Sequence, residues 1–211
     1  MLRIKLVVAF LCCILSTRAQ YPGYKAIGDP VRFKELFTTT AKSTQTIKSD
    51  FIQEKELSLL SEKIISKGKF WFKKDNKVRM EYQQPFQYLM IINQNNIYIK
   101  DGEKESKIST RSNKLFQQIN QIMLDCIQGT VLNNPDYKIN SFENSQSFLI
   151  ELSPSAKALR EFFKNINIFV SKKDYSVVKL ELYEQSGDKT VINYLNKELN
   201  TTLPDALFAI K

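Results

Sequence analysis

The chain has 211 residues but no histidine, three cysteines, six glycines and one tryptophan. Without histidine no side chain ordinarily titrates near neutral pH, so Ser-His and Cys-His nucleophile pairs are excluded and the commonest transition-metal ligand is missing. The glycines stand far apart, which leaves neither a phosphate-cradling loop nor a dinucleotide fingerprint. The apolar run "LVVAFLCCIL", Leu6 to Leu15, is too short to span a bilayer.

That run fits an export leader. Arg3 and Lys5 precede it, and Thr17-Arg18-Ala19 places small residues where a signal peptidase reads, which predicts cleavage after Ala19. An uncleaved anchor and a lipoprotein signal at Cys12 or Cys13 are the competing readings, and no small-residue box precedes either cysteine. Cleavage removes both, leaving Cys126 and no internal disulfide; an exported chain without disulfides fits a Gram-negative periplasm. The sequon Asn200-Thr201-Thr202 is too short to argue otherwise. The formal charge falls from +9 to +6 when Arg3, Lys5 and Arg18 leave with the leader. Because the remaining lysines are spread along the chain without a basic run, a solvated surface is expected rather than a nucleic-acid site. Residues 20–211 suffice for one core, so a single monomeric domain is expected.

Asp29-Pro30 before "VRFKELFTTTAKSTQ" has the form of a capped helix start, with Val31, Phe33, Leu36 and Phe37 at helical spacing. From Ile47 the period shifts towards two, and short apolar segments recur between polar turns such as Asp75-Asn76, Asn95-Asn96, Asp101-Gly102, Lys173-Asp174 and Ser186-Gly187-Asp188. One stretch breaks the pattern: Asn113 to Gly129 carries Leu115, Phe116, Ile119, Ile122, Met123, Cys126 and Ile127 three or four apart, with Asn113 as cap and Gly129 as stop. A short helical piece is expected within Ala156 to Phe163. The expected fold is α+β, mainly β: eight to ten antiparallel strands in a strongly curved, unclosed barrel, with helices on the concave face that a flat sheet would leave bare.

Little of this is catalytic equipment. Glu54 and Glu56 share a strand face, yet exposed carboxylates among lysines are the plainer reading, and a carboxylate-dependent hydrolase stands only as an alternative. Cys126 on an apolar helix face reads as a small core residue. Binding is the leading class, with no cofactor and no metal.

The most informative segment is "GKFWFKKDNKVRMEYQQP", Gly68 to Pro85. Counting by two, Phe70 and Phe72 share one face of their strand, and after the turn Val78, Met80 and Tyr82 align together. Leu89, Ile91, Ile97 and Ile99 on the following strands are further candidates whose faces depend on register. This segment resembles the signature hairpin of LolA-type periplasmic carriers of outer-membrane lipoproteins: glycine, aromatic strand, basic turn, Arg-aromatic-Glu-Tyr, proline. Phe51 and Gln53 in "SDFIQEK" resemble the family's Phe-x-Gln, "NNIYIKDGEK" its Asp-Gly segment, and "LNKELNTTLPDALFAI" its closing strand. The likeness runs in order from Phe33 to Phe208.

The resemblance implies an unclosed barrel whose helical lid shelters acyl chains crossing the periplasm. It implies acylated lipoproteins or another lipid-tailed molecule, such as a glycolipid or an aryl polyene, as cargo. An inner-membrane ABC transporter would be the donor and an outer-membrane protein the acceptor. Val78 and Met80 match cavity-lining positions, and Phe70, Phe72, Tyr82, Ile91, Phe116, Ile119 and Met123 complete the expected ligand-binding set. Lys74 matches a basic residue, usually arginine, that ties the lid to the barrel. The sequence departs from the pattern at Lys74, at Asp75 in place of proline and at Met80 in place of tryptophan, and a lysine lacks the forked hydrogen bonds of a guanidinium.

Overall fold

The computed structural model describes residues 21–60, 62–109, 112 and 114–210. The expected leader and the Asn113 cap lie outside the described residues. Strand β1 (Lys25–Ala26) and helix α1 (Pro30–Ser43) are followed by a meander of β2 (Thr46–Leu57), β3 (Glu62–Lys73), β4 (Lys77–Gln84), β5 (Tyr88–Asn93), β6 (Asn96–Asp101) and β7 (Lys104–Ser109). Helix α2 (Lys114–Gln128) interrupts the strands. They resume with β8 (Tyr137–Glu143) and β9 (Ser147–Pro154), then, after the single-turn α3 (Lys157–Arg160), with β10 (Phe163–Ser171), β11 (Val177–Glu184) and β12 (Lys189–Leu199). These twelve strands, two more than the upper expectation, form one antiparallel sheet in the order β1-β8-β9-β10-β11-β12-β2-β3-β4-β5-β6-β7. Strands β1 and β7 stand at opposite edges, so the barrel is unclosed.

Local chemistry accounts for the main boundaries. The Asp29 carboxylate accepts from the Arg32 amide at 2.9 Å and Pro30 opens α1, satisfying and removing free donors of the first turn. The β3–β4 turn places Asp75 and Asn76 at φ 71° and 57°, the left-handed pair that a tight hairpin needs. Gly129 ends α2 at φ 70°, where an added Cβ would lie 2.9 Å from both the Ala41 Cβ and the Thr38 Cα. The stop signal is thus also the point where α2 touches α1.

Two apolar clusters cover the concave face. Phe33 and Phe37 of α1 join Ile122 and Cys126 of α2 over Ile150, Leu152, Ile166, Ile168 and Val170. On the other side Met123, Leu124 and Ile127 of α2 pack against Phe51, Phe70, Phe72, Val78, Met80 and Ile92. Helix α2 therefore lies between both halves of the sheet and contributes one flank to each. A third cluster occupies the convex face, where Leu203 and Phe208 from the chain's end cover Ile91 and Tyr98. Asp205 pairs with Lys73 at 3.0 Å and Lys77 at 2.9 Å, while Arg79 donates to the Leu207 carbonyl and Asn93 to the Phe208 carbonyl. The C-terminal segment is a strap across the outside of β3 to β6.

Gly68 is required by close approach. A Cβ there would sit 2.1 Å from the Glu81 carbonyl oxygen and 2.7 Å from the Phe51 ring, and the β3–β4 register shifts at this residue. Since neither a paired backbone nor a fully buried ring can yield, Gly68→Ala is expected to lower unfolding free energy by about 2 kcal/mol or more. A urea melt against wild type checks this.

Candidate functional site

Between α2 and the concave face lies a cavity of about 120 Å³. One water occupies roughly 10–15 Å³ on the same scale, so the interior is not packed solid. Its wall is formed by Ile119, Ile122, Met123, Cys126 and Ile127 of α2, and by Phe70, Met80, Leu180, Leu182, Ile192 and Tyr194 of the sheet. Its polar residues gather at one end, where β2 and β11 begin and β12 finishes: Ser176 and Lys197 stand there beside Ile47, Val177 and Leu199.

The hairpin puts its aromatic and sulfur side chains inward, as the alternation predicts. Phe70 stands opposite Met80, and Phe72 opposite Val78. Four of the nine expected ligand-binding residues, Phe70, Met80, Ile119 and Met123, meet in the cavity wall. Phe72 and Val78 share their face but lie deeper, among Ile92 and Ile97, in packed core. Tyr82 points inward near the far end, its ring edge-on to Phe51 at 4.9 Å and its hydroxyl donating to the Gln53 Oε1 at 2.9 Å. Burial pushes that hydroxyl's pKa up to about 12. The Phe116 side chain lies outside the described residues.

Two expectations need correction. Ile91 is opposite Arg79, and residues directly opposite share a face, so it belongs to the convex side under the C-terminal strap rather than to the binding face. Lys74 is exposed in the β3–β4 turn, where its backbone amide donates to the Gln45 carbonyl at 2.8 Å. Among the described residues no side-chain bond ties it to α2. Neither Lys74 nor its family position signalled the residues that do secure the helix.

That role falls to Asp125, 5% exposed near the end of α2. Its carboxylate accepts from Gln121 at 2.9 Å, Thr130 at 3.0 Å and Asn134 at 2.6 Å, and its carbonyl accepts from the Thr130 amide. The helix is therefore fastened at its C-terminal end to the loop that follows. Sequence reasoning passed over Asp125 because one carboxylate in an apolar helical pattern carries no periodic signal. Cys126 lies beside it and lines the cavity, and burial pushes its thiol pKa well above the ordinary value, with the Asp125 charge adding to the effect.

Two outcomes follow from this geometry. Asp125→Ala removes the shared acceptor of three part-buried hydrogen bonds, whose donors can turn to water, and is expected to cost about 1–2 kcal/mol in a denaturant melt. Because the thiolate is the nucleophile, Cys126 in the folded protein is expected to be alkylated by iodoacetamide on the order of 100-fold more slowly than in urea, as followed by intact mass.

The fold is shared with other proteins. An uncharacterized conserved protein from Thermus thermophilus superposes with a TM-score of 0.52 at 7% identity, over 84% of this chain and 90% of that one. A chain of the Pseudomonas aeruginosa MucA/MucB complex gives 0.50 at 9% identity, over 85% of this chain and 60% of that one. A LolA superfamily protein from Nitrosomonas europaea gives 0.46 at 10% identity, over 85% and 96%. At such identities the likeness is one of fold. No curated protein matches the chain. The family described as outer membrane lipoprotein carrier protein LolA matches residues 42–211, a span that takes in the hairpin, α2 and the C-terminal strap, and the chain belongs to that family.

Proposed function

We propose that this protein is a periplasmic carrier: exported, freed of residues 1–19, and sheltering lipoprotein acyl chains in the cavity under α2 while they pass from inner to outer membrane. The observation that carries the reading is an apolar cavity between a helix and a sheet in a member of a lipoprotein-carrier family. The proteins of this family are periplasmic, which supports export. An inner-membrane ABC transporter as donor and an outer-membrane acceptor belong to the same proposal.

Magnitudes make the exchange workable. Each buried methylene contributes about 0.8 kcal/mol, so a sixteen-carbon chain gains roughly 12 kcal/mol on leaving water. The four aliphatic side chains that α2 sets over the cavity, Ile119, Ile122, Met123 and Ile127, are worth roughly 6–12 kcal/mol when fully buried. Cargo entering beneath the helix therefore replaces contacts of similar worth, and loading and release can both proceed. Met80 and Met123 suit such a wall, since unbranched thioether side chains repack around irregular shapes.

The reading is tested by native mass spectrometry of the purified protein, followed by lipid extraction and by uptake of a triacylated lipopeptide. Copurified acylated material, or lipopeptide bound one to one, is the expected result. Met80→Glu, which sets a carboxylate in the apolar wall, is expected to weaken uptake by about tenfold or more. Protein that emerges empty and takes up no lipopeptide would overturn the proposal.

A further inference from the structure

The cavity has one charged residue in its wall, and the backbone is arranged to put it there. Along β12 the residues of the wall alternate, with Ile192 and Tyr194 facing inward and Leu195 outward. Regular alternation would next turn Asn196 and Glu198 inward. Instead Leu195 pairs with Asp50 and Glu198 with Lys48, so that Asn196 and Lys197 together oppose Ser49. This is a β-bulge: Asn196 takes φ 50°, and the extra residue reverses the alternation beyond it. Buried Ser49 donates to the Leu195 carbonyl at 2.7 Å, and Asn196 donates to Asp50 at 2.9 Å, fixing the bulge from both sides. As a result Lys197 and Leu199 line the cavity, while Glu198 turns out to pair with Lys48 at 2.8 Å.

The ammonium is incompletely matched where it stands. Its Nζ donates to the Val177 carbonyl at 3.0 Å and to the Ser176 hydroxyl, and an ammonium has three protons to give. The Ser176 hydroxyl donates a hydrogen bond to the Asp174 carboxylate at 2.7 Å, which also accepts from the Ser176 amide. Among the described residues no carboxylate pairs directly with Lys197, and the Asp174 charge acts on it from behind the Ser176 hydroxyl. A charge at the edge of an apolar hollow is held best by a counter-charge in direct contact. A bound anion would make that contact and take the remaining proton in a charge-assisted hydrogen bond.

We infer that Lys197 is an anion anchor: the cavity takes an acyl chain whose polar end bears a carboxylate or a phosphate, with the anion on Nζ and the hydrocarbon running past Leu180, Ile192, Met80 and Met123. The inference rests on the cavity taking acyl chains, as proposed above, and differs from the lipoprotein cargo at the polar end, since a lipoprotein's acyl chains end in esters and an amide and bear no anion. Ser176 positions the ammonium, and the bulge at Asn196 determines that a lysine rather than an asparagine faces the ligand.

The test is isothermal titration of the purified protein with three twelve-carbon probes: dodecanoate, 1-lauroyl-lysophosphatidate and dodecanol. Dodecanol is the most water-averse, so a purely apolar cavity would prefer it. The anchor predicts that at least one anion binds about tenfold or more tightly than the alcohol, and the better of the two anions identifies carboxylate or phosphate as the group recognised. Lys197→Met is expected to abolish that preference with dodecanol binding kept, and Lys197→Arg to retain it. Retained dodecanol binding shows that a variant is folded; should the methionine variant fail to fold, Lys197→Gln is held to the same expectation. Uptake of all three probes without preference for an anion, or a preference that survives loss of the charge, overturns the anchor alone. Failure of wild type to take up any of the three overturns the anchor, and the acyl-chain reading falls with it only where the triacylated lipopeptide is refused as well.

Discussion

An unclosed sheet with one apolar face cannot stand alone in water, and every other feature of this protein answers to that constraint. Twelve strands present phenylalanine, isoleucine, valine and methionine side chains on the concave side, and something must cover them. The cover is α2, inserted between two runs of strands and apolar on both flanks, with α1 beside it. A helix cylinder laid on a curved sheet does not fit everywhere, so the region under α2 keeps an unfilled apolar volume where the strand flanks fall away from it. The hollow is thus the imperfect joint of the same contacts that stabilise the fold.

The convex face shows the opposite arrangement. There the chain's end is strapped down by directional contacts: Asp205 between Lys73 and Lys77, Arg79 and Asn93 on backbone carbonyls, and the fully buried Phe208 filling the pocket above Ile91 and Tyr98. Hydrogen bonds and ion pairs specify one geometry, whereas apolar contacts tolerate several. The outside of β3 to β6 is accordingly pinned, and the inside is left to apolar packing around a hollow. Helix α2 combines both kinds of contact, since Asp125 fastens its last turn by three side-chain bonds while the residues over the cavity make only apolar ones.

The cavity wall holds a buried thiol whose pKa is raised, a tyrosine whose hydroxyl is likewise raised by burial, and one lysine, its pKa lowered by burial, with a serine at the polar end. Met80 stands opposite Phe70 and beside the void, where a flexible thioether leaves more room than an aromatic ring would.

Alternation along single strands and helical spacing are local properties, so the amino-acid order by itself fixed the inward set Phe70, Phe72, Val78, Met80 and Tyr82, the capped start of α1, the extent of α2 and its glycine stop. The family was legible for the same reason, its motifs being short segments in a set order. Three decisions depended on the folded chain. Ile91 went to the outer face because the pairing of β4 with β5 sets which residues lie opposite, and register is not encoded within either strand. Phe72 and Val78 became core while Phe70 and Met80 became cavity wall because the position of α2 over the sheet, not side-chain type, determines where space is left. Lys197 turned inward because a bulge inserts one residue against Ser49 and reverses the alternation, a change of a single residue in pairing that no pattern of apolar and polar letters records.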